Sequence, residues 1–538
     1  MVNLYDIENR FNKDFHILDL ENKQNISLLQ KLLSSIDNSA SKRILDILKG
    51  VCKSVLIEES YLDSEAVESY VAFYARAFKK YKRECMRLHF FSEKITLSNI
   101  SGVTCNSKDL LEYNEESCNI LQDIYLGFAI VRSSEPTTLG RTCIKALQKQ
   151  HTDFILCETD SSINLAGIDL KLRNTPFMQQ DARVSCCSTV ALWTVAELMN
   201  QKFEKGHFST SLITEMANKH SIAGGRALPT QGLTVKQIDW ALIGMGYHPI
   251  SYELGDDIKK GSTVQRIIYT YIESNLPVIL AIKYAYGYHA ITVLGHGYKI
   301  NEHPKEAIPR FPFFSSAEWV PYFIIHDDQE GPYRYLKLEE TKSDLFCSPI
   351  VMSDSSEFDS NNVNGNLFAI ILPHPSGSIF TSGWDVELKV FNILDKTLSI
   401  LAKSGQSING LGGLVLRTYL MASNEFKHSL CSREGISPEL ISIYRSKALP
   451  KYIWVSEIST IDLQNQLKDS AHLTLGEILI DPTSTAQEKD FLTIHLPGLF
   501  IEMSPEISLR EKDPSPALLD NQTMIVHDSP YLSLKRSL

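Results

Sequence analysis

The chain has 538 residues, of which 43% are hydrophobic and 22% are charged. A chain of this length usually forms about two to four domains, and this composition excludes a fibrous repeat or a largely disordered chain. Its 64 acidic residues outnumber its 53 basic residues and give a net charge of −11. An acidic chain has no general attraction to phosphate backbones, so nucleic acid is not expected as a partner.

Neither a membrane segment nor a disulfide framework is expected. No apolar run reaches the ~18–20 residues of a membrane-spanning helix, and the N-terminus lacks the basic and then apolar layout of a secretory signal. The ten cysteines are scattered, except for the adjacent Cys186 and Cys187, and there is no Cys-x-x-Cys pair. This pattern fits free thiols in a reducing, cytoplasmic setting and argues against structural zinc.

Residues 1–120 are expected to form a mainly helical N-terminal region. Apolar residues recur at helical spacing in two stretches, 27–48 and 64–80. The pattern then changes, because β-branched and aromatic residues dominate 124–132. This stretch and 165–171 are predicted to be strands.

Residues 121–352 are expected to form one α+β domain. Helical spacing predicts three helices, at 188–200, 235–245 and 264–274. Apolar runs then predict three strands, at 277–283, 289–296 and 322–326. Helices followed by strands indicate an α+β unit with a largely antiparallel sheet.

The rest of the chain is expected to contain a linker and a further domain. Polar and turn-forming residues predict the linker over 353–378. Residues 379–538 are predicted to form a mixed α/β C-terminal domain of unknown role. Within it, a helix is predicted at 414–423, and strands are predicted at 452–458 and 473–480.

The segment that is richest in chemistry surrounds the two adjacent cysteines. Gln180 precedes them in a loop, and small residues after Cys187 open an apolar helix. A helix N-terminus has free N–H groups and a positive dipole end, which favour a reactive thiolate and can also bind an oxyanion. The Gln180 amide can supply a second oxyanion donor, and its spacing fits either Cys186 or Cys187.

A catalytic thiolate needs a base, and the base needs a residue that orients it. His289 starts an apolar strand just after a Gly-containing turn, so its imidazole can face a cleft. Asp327 and Asp328 end a later strand, and either carboxylate can hold the imidazole in one tautomer. His289 and His296 are seven residues apart on a predicted strand and face opposite sides of it, so no metal site is expected.

Together these segments resemble the papain-like cysteine peptidases, and most of all their bacteriocin-leader (double-glycine) peptidase-like branch. The resemblance covers about residues 176–333 and rests on the Gln before the Cys, the Cys-x-x-x-Ala-Leu helix opening, the Gly-x-His-Ala-Ile-Thr-Val-Leu-Gly strand and the Asp before a Gly. It implies a papain-like core, in which the helix bearing Cys packs on an antiparallel sheet bearing His and Asp. It also implies Cys187 as nucleophile, His289 as base, Asp327 as orienting residue and Gln180 as oxyanion donor.

The function that this resemblance implies is thiol-dependent cleavage of a peptide or isopeptide bond in a protein or peptide substrate. No cofactor is expected, since the reaction needs only the thiol, the imidazole and the carboxylate. Two alternatives keep the same fold. One is a catalytically inactive interaction module, and the other is an acyltransferase that passes the acyl group from the same thiol to an amine.

Overall fold

The structure is a computed structural model, and it describes the chain in segments. The described residues are 15–34, 39–96, 115–133, 137–146, 153–181, 185–219, 232–254, 261–285, 287–299, 313–339, 348–358, 365–403, 413–432, 438–464, 471–484, 491–496, 499–503, 522–525 and 532–535. The fold divides into two compact units. The first unit comprises Met1–Asp257, Pro277–Gly295 and Phe323–Pro375, and the second unit comprises Ile258–Leu276, His296–Tyr322 and Ser376–Leu538.

The described residues form 24 strands and 12 α-helices. In chain order the strands are β1 (Phe15–Asp19), β2 (Ser54–Tyr61), β3 (Cys85–Phe91), β4 (Tyr125–Val131), β5 (Leu139–Ile144), β6 (Asp153–Ile155), β7 (Thr159–Leu165), β8 (Ile168–Asn174), β9 (His248–Glu253), β10 (Val278–Tyr284), β11 (Gly287–Gly297), β12 (Phe313–Ser315), β13 (Phe323–Asp327), β14 (Gly331–Leu338), β15 (Ser348–Ser353), β16 (Gly365–His374), β17 (Leu414–Ala422), β18 (Tyr452–Thr460), β19 (Ala471–Thr474), β20 (Gly476–Ile480), β21 (Phe491–Leu496), β22 (Leu499–Met503), β23 (Gln522–Ile525) and β24 (Leu532–Lys535). The α-helices are α1 (Lys23–Ser34), α2 (Ser39–Leu48), α3 (Ser64–Ala72), α4 (Glu115–Ile124), α5 (Cys187–Phe203), α6 (Thr210–Asn218), α7 (Val235–Gly244), α8 (Gly261–Glu273), α9 (Gly383–Lys403), α10 (Ser423–Ser429), α11 (Pro438–Ser446) and α12 (Ile461–Gln464).

The prediction of an α+β fold with antiparallel sheets is confirmed, and most elements predicted around the site are confirmed with it. The helices α5, α7 and α8 and the strands β4, β10, β11 and β13 occupy the predicted stretches to within a few residues. These elements combine a clear helical period or a compact apolar run with polar or glycine-containing flanks, which is the strongest local signal of secondary structure.

The N-terminal region contains three strands beside its helices, and the sequence analysis did not predict these strands. The strands β1, β2 and β3 continue through β4 and β5 as a five-stranded antiparallel sheet. The stretch 27–48 also falls into two helices, α1 and α2, rather than one. Short apolar runs such as Val55-Leu56-Ile57 have no period that separates a strand from a buried helix. Pairing with β4, which is remote in sequence, completes the sheet.

In the second half of the chain, the structure contradicts the predicted linker at 353–378 and the predicted helix at 414–423. Within the predicted linker, Gly365–His374 is the strand β16, which is largely buried and pairs with β9, β10 and β15. Residues 359–364 of that linker lie outside the described residues. The predicted helix at 414–423 is the strand β17, in which seven of nine residues are buried. A strand buried on both faces shows no alternation, so an apolar run of this length fits helix and strand equally well.

Two sheets and a central helix form the first unit. The five-stranded sheet packs against the β7–β8 hairpin. The second sheet closes into a ring in the order β10-β11-β13-β14-β15-β16, because β10 pairs with both β11 and β16. The helix α5 packs against β7, β10, α6 and α7, and 11 of its 17 residues are buried, Trp193 completely. Apolar contacts all around α5 hold its N-terminus in a defined place in this unit.

The second unit is built on a seven-stranded sheet in the order β12-β17-β18-β20-β21-β22-β23. The pair β12–β17 is parallel, and the other pairs are antiparallel. The helices α8 and α9 pack against β17. Residues 258–276 and 296–322 belong to this unit although they lie inside the predicted 121–352 domain, so the two units are not contiguous in sequence.

Among the described residues, no helix combines the length and the apolar character that crossing a membrane requires. Seven cysteines in the described part of the chain are free thiols, and five of these are buried. Cys187 is partly exposed and Cys431 is exposed. These two are therefore the described thiols that a reagent in solution can reach.

Candidate active site

Cys187 is the first residue of α5, and a polar turn holds the loop before it. The backbone N–H and the hydroxyl of Ser185 lie 2.9 and 3.2 Å from Oδ1 of Asp181, and the backbone N–H of Asp181 donates to the Ser185 hydroxyl at 3.1 Å. The Tyr74 hydroxyl donates to Oδ2 of Asp181 at 2.9 Å. These bonds order the start of the helix, whose first N–H groups have no partner within the helix.

The structure distinguishes the two adjacent cysteines, which spacing alone leaves equivalent. Cys186 is buried, with its sulfur 3.1 Å from the Ser188 hydroxyl and 3.2 Å from the Thr189 hydroxyl. Burial raises the pKa of the Cys186 thiol. Cys187 is partly exposed, and its side chain lies near enough to the His289 ring to raise the pKa of that imidazole. Of the two thiols, Cys187 is the one that is paired with an imidazole.

His289 lies on β11, opposite Ile282 of β10, and only 5% of it is exposed. Its Nε2 is 3.0 Å from Oδ1 of Asp327. The other ring nitrogen, Nδ1, lies 3.5 Å from Nε2 of Gln329, and the Cys187 side chain is also close to the ring. The imidazole therefore lies between a carboxylate and a thiol, which is the arrangement that an oriented base requires.

Asp327 is held by the turn that ends β13. Its Oδ1 accepts hydrogen bonds from the backbone N–H groups of Gln329 and Glu330, at 3.0 and 3.2 Å. The turn closes at Gly331, which has a φ of +121° and whose Cβ, if present, would lie 2.7 Å from Cβ of Arg43. A side chain has no room at Gly331, so the turn that fixes the carboxylate depends on glycine there.

Charge at the site favours a protonated His289 beside an ionised Asp327. Burial opposes the charge on His289, but the hydrogen bond of the ring with Asp327, the neighbouring Cys187 side chain and the nearby carboxylate charges outweigh burial and raise its pKa to about 11. Burial also opposes the charge on Asp327. The bond and charge of His289, a backbone N–H and the charge of Arg334, 3.7 Å from Oδ2, nevertheless hold the pKa of Asp327 below its usual range. An imidazolium in this position favours a negative partner, such as a thiolate, on its other side.

Asp328 lies next to the same imidazole without a hydrogen bond to it. Its Oδ1 is 3.8 Å from Nε2 of His289. No side chain among the described residues donates a hydrogen bond to its carboxylate oxygens. The shorter distance, 3.0 Å against 3.8 Å, favours Asp327 as the orienting residue.

Gln180, the predicted oxyanion donor, lies on the loop that leads to Cys187 and is partly buried. Its backbone N–H is close enough to the Asp328 carboxyl to favour the charged form of that group. The loop therefore passes the site beside Asp328. The role of the Gln180 side-chain amide stays a prediction.

His289, Asp327 and Asp328 are also the group of described residues whose ligand atoms, all within 4.8 Å of one another, could hold a metal ion. All three residues are at most 5% exposed, and Nε2 of His289 is already bonded to Asp327. An ion there would have to break that bond. His296, the other histidine considered in the sequence, bonds to Glu273 at 2.7 Å in the second unit.

A cavity of about 370 Å³ lies elsewhere in the first unit, and none of the predicted site residues lines it. Its two arginines already have acidic partners, since Arg87 lies 2.7 Å from Glu58 and Arg141 lies 3.3 Å from Asp63. The residues that line this cavity include aromatic side chains, but they include no thiol–imidazole pair and no charged side chain without a partner. The chemistry is therefore concentrated at Cys187.

No protein-family model matches the chain, and no curated protein is significantly similar to it.

Two supports of the site were not predicted from the sequence. They are the Asp181–Ser185 turn and the charge of Arg334 near Asp327. The pair of polar residues flanking a short loop before Cys187 is a signal that could have indicated the turn. No local signal connects Arg334 with Asp327, because strand pairing of β13 with β14 brings them together.

Proposed function

We propose that this chain is a thiol hydrolase of the cysteine-peptidase kind, which cleaves a peptide or isopeptide bond in a protein or peptide substrate. One observation carries the proposal. The partly exposed Cys187 thiol, at the N-terminus of a buried helix, lies beside the His289 ring and raises the pKa of that ring, and Nε2 of His289 is 3.0 Å from Oδ1 of Asp327. Cys187, His289 and Asp327 thus lie beside one another in the order nucleophile, base and orienting group, which is the order that acyl transfer requires.

The reaction follows from the positions of these groups. The Cys187 thiolate attacks the carbonyl carbon, and the backbone N–H groups at the start of α5 stabilise the oxyanion, with the Gln180 amide as second donor. The His289 imidazolium then protonates the leaving amine as the C–N bond breaks, which leaves a thioester on Cys187. His289, now neutral, takes a proton from the incoming water, and hydrolysis releases the acid and restores the thiol.

The arrangement of elements also supports a papain-like core. The helix that bears the thiol packs against β10, a strand of the closed sheet that also contributes His289 from β11 and Asp327 from β13. This is the layout that the resemblance implies for residues 176–333. A reducing, cytoplasmic setting belongs to the same proposal, because a reactive thiolate is readily oxidised elsewhere.

Labelling with an electrophilic peptide probe, followed by mass-spectrometric mapping of the modified residue, tests the proposal. The expected result is selective labelling of Cys187, complete loss of label in Cys187→Ala, and normal labelling in Cys186→Ala. Cys431, which is exposed, serves in the same molecule as a reference for an ordinary thiol.

The other outcomes decide between the alternatives. Labelling of Cys187 no faster than Cys431 would indicate a catalytically inactive interaction module. If Cys187 is selectively labelled, adding an amine acceptor to a cleaved peptide substrate separates the two reactions, because hydrolysis yields only the acid whereas an acyltransferase yields the amide.

A further inference from the structure

Asp328 is a buried carboxyl group that the proposed reaction does not use. It is 4% exposed, and no side chain among the described residues donates a hydrogen bond to its oxygens, although the backbone N–H of Gln180 favours its charged form. Burial makes a carboxylate with so few donors costly to ionise, so such a group usually has a role or a bound water. It lies 3.8 Å from Nε2 of His289, on the side of the ring that already bonds Asp327.

Few charged or titratable groups face Asp328. His289 approaches from β11, and Asp327 and His326 precede it on its own chain segment. Cys187 of α5 and Asp328 share a cavity of about 10 Å³, the size of one water molecule, which His326 also lines. His326 is neutral there, because burial lowers its pKa to about 3. The positive charge of Arg334 is directed to Asp327 and Asp354 rather than to Asp328.

The two aspartates therefore ionise over different pH ranges. The pKa of Asp327 is held below its usual value. Burial raises the pKa of Asp328 to about 7; the charge of Asp327 adds to this effect, and the positive charge of His289 opposes it. His289, with a pKa of about 11, remains protonated while Asp328 loses its proton. Near neutral pH the site thus gains a second negative charge beside the imidazolium.

We propose that Asp328 is a second anionic partner of His289, a positioning residue that lies 3.8 Å from the ring and stabilises the protonated imidazole beside Cys187. Asp327 sets the orientation of the ring at all pH values through its hydrogen bond. Asp328 acts on the ring by charge alone, because it lies 3.8 Å away without a hydrogen bond. A charge at this distance in a partly buried site raises the proton affinity of the imidazole about 10²- to 10³-fold.

Titration of His289 by NMR tests this role directly. In protein labelled with ¹³C at histidine Cε1, the His289 resonance is assigned by its loss in His289→Gln. In the wild type we expect a small shift of this resonance near neutral pH, as Asp328 ionises, and the main titration well above neutrality. In Asp328→Asn, which keeps the size of the side chain, the neutral shift should vanish and the main midpoint should fall by about two pH units.

Identical His289 titrations in the wild type and in Asp328→Asn would overturn the proposal. The remaining histidine resonances report whether the variant is folded. If the variant is unfolded, the wild-type titration alone tests the proposal. A His289 resonance that does not shift near neutral pH would show that Asp328 does not ionise beside the ring.

This inference rests on the proposed function only for the role of the ion pair, and the two can fail separately. Unchanged titration with selective labelling of Cys187 would leave the hydrolase and remove the role of Asp328. A shifted titration without selective labelling would leave the Asp328–His289 coupling and remove the hydrolase.

Discussion

The proposed ion pair between Cys187 and His289 leads to a quantitative prediction about thiol reactivity between pH 9 and pH 6. An ordinary exposed thiol is about 75% thiolate at pH 9 and about 0.3% at pH 6, so its alkylation slows about 200-fold over this range. Cys431 is exposed and serves as the reference thiol in the same molecule.

Cys187 should behave differently because of its neighbour. With a pKa of about 11, His289 holds its proton at both pH values, so a cation lies beside the Cys187 sulfur throughout this range. We expect alkylation of Cys187 by iodoacetamide to change less than about tenfold between pH 9 and pH 6. The ratio of the Cys187 alkylation rate to the Cys431 alkylation rate should therefore rise about 20-fold or more as the pH falls from 9 to 6.

The assay is timed alkylation at each pH, with each cysteine quantified by tandem mass spectrometry so that Cys186 and Cys187 are resolved. The matched control is His289→Gln, in which the ratio should stay constant within about threefold because Cys187 has lost its cationic partner. A wild-type ratio that stays constant would show that no ion pair exists at pH 6 and would refute the reasoning.

Two further changes test the supports of the site. Asp327→Asn keeps the shape of the side chain and removes its charge, so probe labelling of Cys187 should slow about 10²- to 10⁴-fold, and an unchanged rate would exclude an orienting role. Gly331→Ala combines a φ of +121° with a Cβ 2.7 Å from Cβ of Arg43 and should lower the free energy of unfolding, measured in urea, by about 2–4 kcal/mol. Gly167→Ala, at φ +91° with no atom within 4 Å, should cost about 1 kcal/mol from backbone strain alone, and equal losses would contradict a clash at Arg43.

The site can be predicted from sequence further than the fold around it. Cys187, His289 and Asp327 each begin or end an element with a strong local signal, and the structure brings the three together. Spacing could not choose between Cys186 and Cys187, because the choice depends on which sulfur faces the imidazole. The chain folds so that Cys186 contacts the hydroxyls of the first turn of its own helix instead.

Local patterns by themselves determined the α+β class, the helix that opens at Cys187 and the strands that bear His289 and Asp327, because amphipathic period and turn residues act over a few neighbours. Only the tertiary structure decided that β1–β3 join β4 and β5 in one sheet, that β16 closes the ring against β10, and that residues 258–276 belong to the second unit. It also decided the different environments of Asp327 and Asp328. Strand pairing and burial are set by partners far away in the chain, and no local pattern contains them.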